Sequence, residues 1–167
     1  MKKSKKGIAR RSFFAAAAGA AGLAAALPRS LKAADAQPTT DKEKANIKLV
    51  HDFFDAWSPK TADPQKLVDF LTDDCMTKQG GTDMIVTGKD ANLEQFKKMT
   101  ARWNGMKLIY DEDYARGPIV VQYRRDIFPT PDGQERTIYV VSLLVVKDGK
   151  IRQWFDFGGP KPGTDKS

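Results

Sequence analysis

The run Ile138-Tyr139-Val140-Val141-Ser142-Leu143-Leu144-Val145-Val146 does most to limit what this chain can fold into. It is built almost entirely of β-branched, aromatic and aliphatic side chains, and turn signals bound it on both sides, so it reads as a strand. Pro129-Thr130-Pro131-Asp132-Gly133 lies upstream and Asp148-Gly149 downstream. Each is a hairpin signal. The strand, spanning residues 136–147, is therefore predicted to pair antiparallel with 119–128 before it and 150–157 after it. Its apolar character on both sides predicts cover on both sheet faces. A further strand over 106–114 leads into this meander through Arg116-Gly117-Pro118.

Ahead of the strands the apolar period changes. Ile47, Val50, Phe54 and Trp57 recur at helical steps, which predicts a helix from Asp41 to Trp57 ended by Ser58-Pro59. Asp63-Pro64 opens a second helix as N-cap and first-turn proline, with Leu67, Phe70 and Leu71 inward. Gly80-Gly81 breaks the chain. A third helix begins near Gly88-Lys89-Asp90, turns Leu93, Phe96, Met99 and Trp103 inward, and stops at Asn104-Gly105. Helices followed by a meander give an α+β order. The expected architecture is N-terminal helices packed into the concave side of a strongly curved, mostly antiparallel sheet. Such a sheet leaves a cone-shaped cavity suited to a small apolar ligand. The domain is expected over 45–158, after a polar linker at 37–44 and before a flexible tail at 159–167.

The formal net charge of +7 misleads. Residues 1–36 hold eight of the 28 basic side chains against one acid, Asp35, which leaves 20 of each sign over residues 37–167. A neutral domain without a basic stripe argues against nucleic-acid binding. The excess belongs to a leader with a charged start, an apolar stretch from Phe13 to Leu27 and an Ala34-Asp35-Ala36 cleavage pattern. The apolar stretch is short for a membrane span. Ala9-Arg10-Arg11-Ser12-Phe13-Phe14 looks like a twin-arginine export motif. That resemblance implies the twin-arginine machinery as a partner, cleavage after Ala36 and a periplasmic or otherwise exported domain. Cys75 and His51 are the only cysteine and histidine, so neither a disulfide within the chain nor a Cys/His metal site is expected. Cys75 reads as a small buried residue, and His51 as structural.

The chemistry lies in two short motifs. In Arg124-Arg125-Asp126, strand alternation places Arg124 and Asp126 on one face and Arg125 on the other. In Trp154-Phe155-Asp156, Trp154 and Asp156 likewise share a face. If both faces turn into one apolar cavity, two carboxylates meet with an arginine between them. Two carboxylates in a dry pocket do not both ionise cheaply, so the pair divides into an acid and a base.

The element order and the stretches 120–126 and 142–157 resemble the nuclear-transport-factor-2-like (NTF2-like), or SnoaL-like, superfamily. Within it the resemblance is to the limonene-1,2-epoxide hydrolase family, which carries R-x-D on one strand and W-x-D-[YF] on the last. The resemblance implies Asp156 as a general base that takes a proton from an attacking water. It implies Asp126 as the acid that protonates the departing epoxide oxygen, with Arg124 bridging them. No metal or cofactor is implied. The family holds its water with a Tyr and an Asn spaced Y-x-N after the second helix; the nearest match here is Thr77 and Gln79. Trp154 is expected as a cavity wall and Tyr123 as a ligand-touching residue. Two rivals remain: a non-catalytic binder of a small apolar molecule, and an isomerase or cyclase using Tyr123 or Tyr139 as the donor to an oxyanion. The apolar third strand is compatible with a homodimer.

Overall fold

A computed structural model describes residues 39–161 apart from Gly81 and Trp103. The leader at 1–36, the last residues of the tail and the expected burial of Trp103 lie outside the described residues. The elements are α1 (Asp41–Asp55), α2 (Pro64–Asp69), β1 (Leu71–Lys78), β2 (Ile85–Thr87), α3 (Lys89–Thr100), β3 (Lys107–Arg116), β4 (Ile119–Pro129), β5 (Glu135–Lys147) and β6 (Lys150–Gly158). The strands form one six-stranded sheet in the order β2-β1-β6-β5-β4-β3. Only the β1–β6 pairing is parallel.

The meander follows its turn chemistry. Asp148 and Gly149 both take positive φ, 50° and 73°, the geometry of a two-residue hairpin matched to strand twist. Thr130 and Gln134 close the longer β4–β5 turn through Thr130 N–H to Gln134 O, 2.9 Å. Helix starts also match their signals. Thr40 and Glu43 make a reciprocal capping box on α1, and Asp63 caps α2 ahead of Pro64. Glu43 does more than cap. Its other oxygen accepts the Gly117 N–H at 2.8 Å, and Asn46 donates to Gly117 O at 2.9 Å. The first turn of α1 is thereby tied to the β3–β4 turn.

The helices cover one face of the sheet. Val50, Phe53, Phe54 and Trp57 pack with Phe96 and Trp154 in a fully buried core. Trp154 makes edge-on contacts with Phe53 and Phe54 at 5.1 and 5.7 Å between centroids.

Five expectations change. Asp41–Lys44, expected as linker, is the first turn of α1. Leu71, expected in the second helix, begins β1, because α2 is capped at Phe70. The chain then pairs as β1 and β2 where no strand was expected. β5 is covered on one face only: Val140, Ser142, Leu144 and Val146 are buried, while Tyr139, Val141, Leu143 and Val145 are half-buried. The tail, expected to be flexible from residue 159, is held at its start by Gly159 N–H to Tyr139 O, 2.8 Å.

Candidate active site

Strand register builds the site. Arg124 pairs with Val140, Asp126 with Ile138, and Ser142 with Asp156. Alternation puts Arg124, Asp126, Ser142, Trp154 and Asp156 on the helix-covered face of β4, β5 and β6. All five are buried, and Arg124 is only 2% exposed.

Arg124 is the hub. Its Nε donates to Asp126 Oδ1 at 2.8 Å, and one terminal nitrogen reaches Asp126 Oδ2 at 3.3 Å and Asp156 Oδ2 at 3.2 Å. Its other terminal nitrogen donates to the Ser142 hydroxyl. A guanidinium offers five donors in one plane, and a buried one needs acceptors for them. Beneath it lies the Phe54 ring, 3.7 Å from Cζ to centroid, which adds a cation–π contact.

The carboxylates differ in surroundings. Asp156 accepts three hydrogen bonds: from Trp154 Nε1 at 2.6 Å, from the Ser142 hydroxyl, and from Arg124. That is the acceptor-only pattern of a carboxylate. Asp126 touches no donor but Arg124 among the described residues. Burial holds its carboxyl above the usual carboxylate range, with Arg124 pulling partly against that and Asp156 adding to it. One member of the pair therefore favours keeping a proton.

Both carboxylates open on a cavity of about 250 Å³. Its other walls are largely apolar, with Phe54, Trp57, Met99, Met106, Phe128 and Trp154 prominent. Gln79 also lines it, and among the described residues Gln79 Nε2 is buried without a hydrogen-bond partner. Buried amide donors are normally paired, so this one is set to serve a guest.

The expected site residues thus divide. Arg124, Asp126, Asp156, Trp154 and Gln79 come together. Trp154 is a wall, as expected, and also a donor to Asp156. Thr77 does not line the cavity. It is 1% exposed, and its hydroxyl donates to Asn92 Oδ1, which fixes α3 against β1. Tyr123 faces the other side of the sheet, because it stands one residue from Arg124; its hydroxyl donates to Pro160 O at 2.7 Å. Tyr139, one residue from Val140, falls on the Tyr123 face by alternation, yet it lines the cavity beside Val140. Arg125 faces away as expected and forms a two-point ion pair with Asp111. Asp113 accepts from Gln122 at 2.9 Å and pairs with His51 at 2.8 Å. His51 stacks on Tyr110 with 4.0 Å between centroids. Cys75 is fully buried, its thiol pushed up by that burial and in contact with Asn92 Nδ2 at 3.3 Å. Ser142 and Phe54 were not singled out from the sequence as site residues. The signal for Ser142 was available: it interrupts an aliphatic face between Val140 and Leu144.

Among known proteins, the family model described as SnoaL-like domain matches residues 50–154. No curated protein sequence matches the chain. The fold is similar to an epoxide hydrolase of M. tuberculosis of the limonene-epoxide-hydrolase-like kind, with a TM-score of 0.59 and 20% identity, covering 70% of this chain and 84% of that one. It is similar to the epoxide hydrolase/cyclase-like enzyme SalBIII of pyran ring formation in the polyether salinomycin, with a TM-score of 0.60 and 17% identity, covering 72% and 95%. It is also similar to an NTF2-like protein from Anabaena variabilis, with a TM-score of 0.60 and 22% identity, covering 73% and 95%. At these identities the likeness is one of fold.

Proposed function

The chain belongs to the SnoaL-like domain family, and on that premise we propose that it is an epoxide hydrolase that adds water to a small apolar epoxide. One observation carries the reading: a single buried arginine joins two carboxylates of unequal surroundings on the wall of an apolar cavity. The similarity to an epoxide hydrolase supports it.

In this reading Asp156 takes a proton from a water while that water's oxygen bonds to an epoxide carbon. The carbon–oxygen bond of the ring breaks, and its electron pair goes to the ring oxygen. Asp126 gives its proton to that oxygen, and a diol results. The three donors on Asp156 fix the carboxylate's direction. The Gln79 amide donor helps hold the water. Both groups act together because Arg124 sets their spacing. Deficient solvent around Asp126 serves the acid role, since a dry carboxyl holds its proton for transfer.

The test is diol formation by the full chain from a panel of cyclic and aliphatic epoxides, with Asp156→Asn as control. Diol lost in the variant is the expected outcome; no diol from any epoxide sinks the reading. A second reading has its own observation. Burial raises the Asp126 carboxyl above the usual range, which favours a proton that could polarise a carbonyl oxygen while Asp156 removes a neighbouring C–H proton; that makes an isomerase or cyclase, and SalBIII is a structural neighbour. Deuterium uptake at the α-carbon of a ketone without diol formation would select it. We also propose, from the leader sequence alone, that the domain is exported. A secreted form beginning at Gln37 is the expected product, and retention of residues 1–36 would refute this.

A further inference from the structure

Asp156 borders a second recess that Asp126 and Arg124 do not reach. This recess, of about 220 Å³, is lined by Lys78, Thr82, Asp83, Asp156, Phe157 and Gly158. It sits where the chain leaves the end of β1 and passes the end of β6. Its character is unlike that of the main cavity. Lys78 and Asp83 form an ion pair across its rim at 3.2 Å, with the Asp83 side chain fully exposed. The Lys78 ammonium lies 5.5 Å from the centroid of the Phe157 ring, itself 44% exposed. A charged, open rim holds water and offers an apolar molecule little. The main cavity has the opposite preference.

The two recesses adjoin, with Asp156, Phe157 and Gly158 in the wall of both. Asp126 and Arg124 face the apolar cavity alone. We propose that the second recess is a water port: it supplies water to Asp156, and drains the proton that Asp156 collects, while an apolar molecule fills the main cavity. The proposal rests on the hydrolase reading for its purpose. An apolar substrate seated in the main cavity blocks that route for the water it must react with. Each turnover consumes one water at Asp156 and leaves that carboxylate protonated and Asp126 deprotonated. Asp156 then loses its proton to water in the port, and Asp126 takes one back once the diol has left. Acid and base are thus reset through different recesses. The arrangement keeps the acid dry and the base wet without a moving part.

The port can be plugged. Thr82→Cys places a thiol on its wall, and Cys75, being fully buried, does not compete for reagents. The full-length variant is treated with methyl or benzyl methanethiosulfonate. Asp83→Cys, at an exposed position, repeats the experiment if the first variant folds poorly. Two readouts are taken. The first is hydrolysis of cyclohexene oxide. The second needs no activity: deuterium exchange of the Trp154 indole N–H, which donates to Asp156, measured by NMR with the main cavity filled by cyclooctanol. Tryptophan fluorescence confirms that cyclooctanol binds equally to all forms. The expected result is that exchange persists in the filled, unplugged protein, slows with the benzyl adduct and is unaffected by the methyl one. Hydrolysis falls at least about a hundredfold with the benzyl adduct alone, the low end of what a proton-transfer partner contributes. Exchange that cyclooctanol alone abolishes, or that the benzyl adduct leaves unchanged, overturns the port. Exchange that behaves as expected in a protein that opens no epoxide keeps the port and discards the hydrolase.

Discussion

Replacing Arg124 with Met tests whether one guanidinium sustains the whole carboxylate cluster. Met keeps a flexible side chain that still packs on the Phe54 ring, and it removes the charge. Arg124 is 2% exposed and pairs with both Asp126 and Asp156. Removing one member of a buried ion pair costs about 3–5 kcal/mol, because the charge left behind stays desolvated. Asp126 loses its one donor among the described residues, and Asp156 and the Ser142 hydroxyl each lose one of theirs, so the upper end, ~4–5 kcal/mol, is expected near neutral pH. That is a large share of the ~5–15 kcal/mol that holds an ordinary domain together. The deficit also depends on pH. Burial already holds Asp126 above the usual range, and Arg124 opposes that. Without the arginine, the folded state binds this proton more tightly still. A folded state that binds a proton more tightly than the unfolded chain is fully favoured below the unfolded pKa and loses stability as pH climbs through the folded one. In the variant that window extends further upward, at up to about 1.4 kcal/mol per pH unit. The deficit should therefore shrink by ~1–2 kcal/mol between pH 7.5 and pH 5. Urea unfolding followed by tryptophan fluorescence at both pH values measures it. A deficit below about 1 kcal/mol, the scale of an exposed pair, or one equal at both pH values, would refute the reasoning.

Ser142→Ala leaves a guanidinium N–H and a carboxylate lone pair unmet in a fully buried place, and should cost about 2–3 kcal/mol by the same urea assay. Trp154→Phe keeps an aromatic wall but deletes the 2.6 Å donor to Asp156; epoxide turnover should fall by roughly 10- to 100-fold, the value of one hydrogen bond to a charged group. Gln79→Leu replaces an unpartnered buried amide with an apolar group, so stability should hold or rise by ~0.5–1 kcal/mol while diol formation drops. Glu43→Ala removes a capping box and the acceptor for Gly117 N–H together, and should lower stability by about 1–2 kcal/mol in thermal unfolding.

The legible part of the site was the part written in alternation and tight turns. Arg124, Asp126, Trp154 and Asp156 sit at period-2 spacing on strands joined by short hairpins, so their common face follows from local rules. Tyr123 and Thr77 were misplaced for different reasons. Tyr123 obeys the same alternation that places Arg124, and the rule alone would have excluded it from the cavity face. Thr77 was offered only as the nearest match to a family residue, and no strand was expected there because Asp73-Asp74 sits in the middle of Leu71–Lys78 and breaks any apolar alternation. The β1–β6 register is irregular between Leu71 and Met76, which is why no simple strand pattern survives there. The double cover expected for β5 failed because period-2 patterning cannot tell a buried face from a half-buried apolar one. Ser142 was hidden by its neighbours: one hydroxyl in an aliphatic run looks like tolerance until register sets it opposite Asp156.

The parallel pairing of β1 with β6 has a kinetic meaning. Thr77 lies beside Trp154, far along the chain, whereas β4, β5 and β6 are joined by hairpins. Closing a long loop costs more chain entropy than closing a hairpin, and such contacts slow folding. Asp126, Asp156 and Arg124 all come from the quickly formed meander. The wall that carries Gln79 arrives with the slow contact. During refolding the charged cluster should therefore find its partners before its apolar roof closes, and an amide in β1 should exchange its hydrogen faster than one in β5.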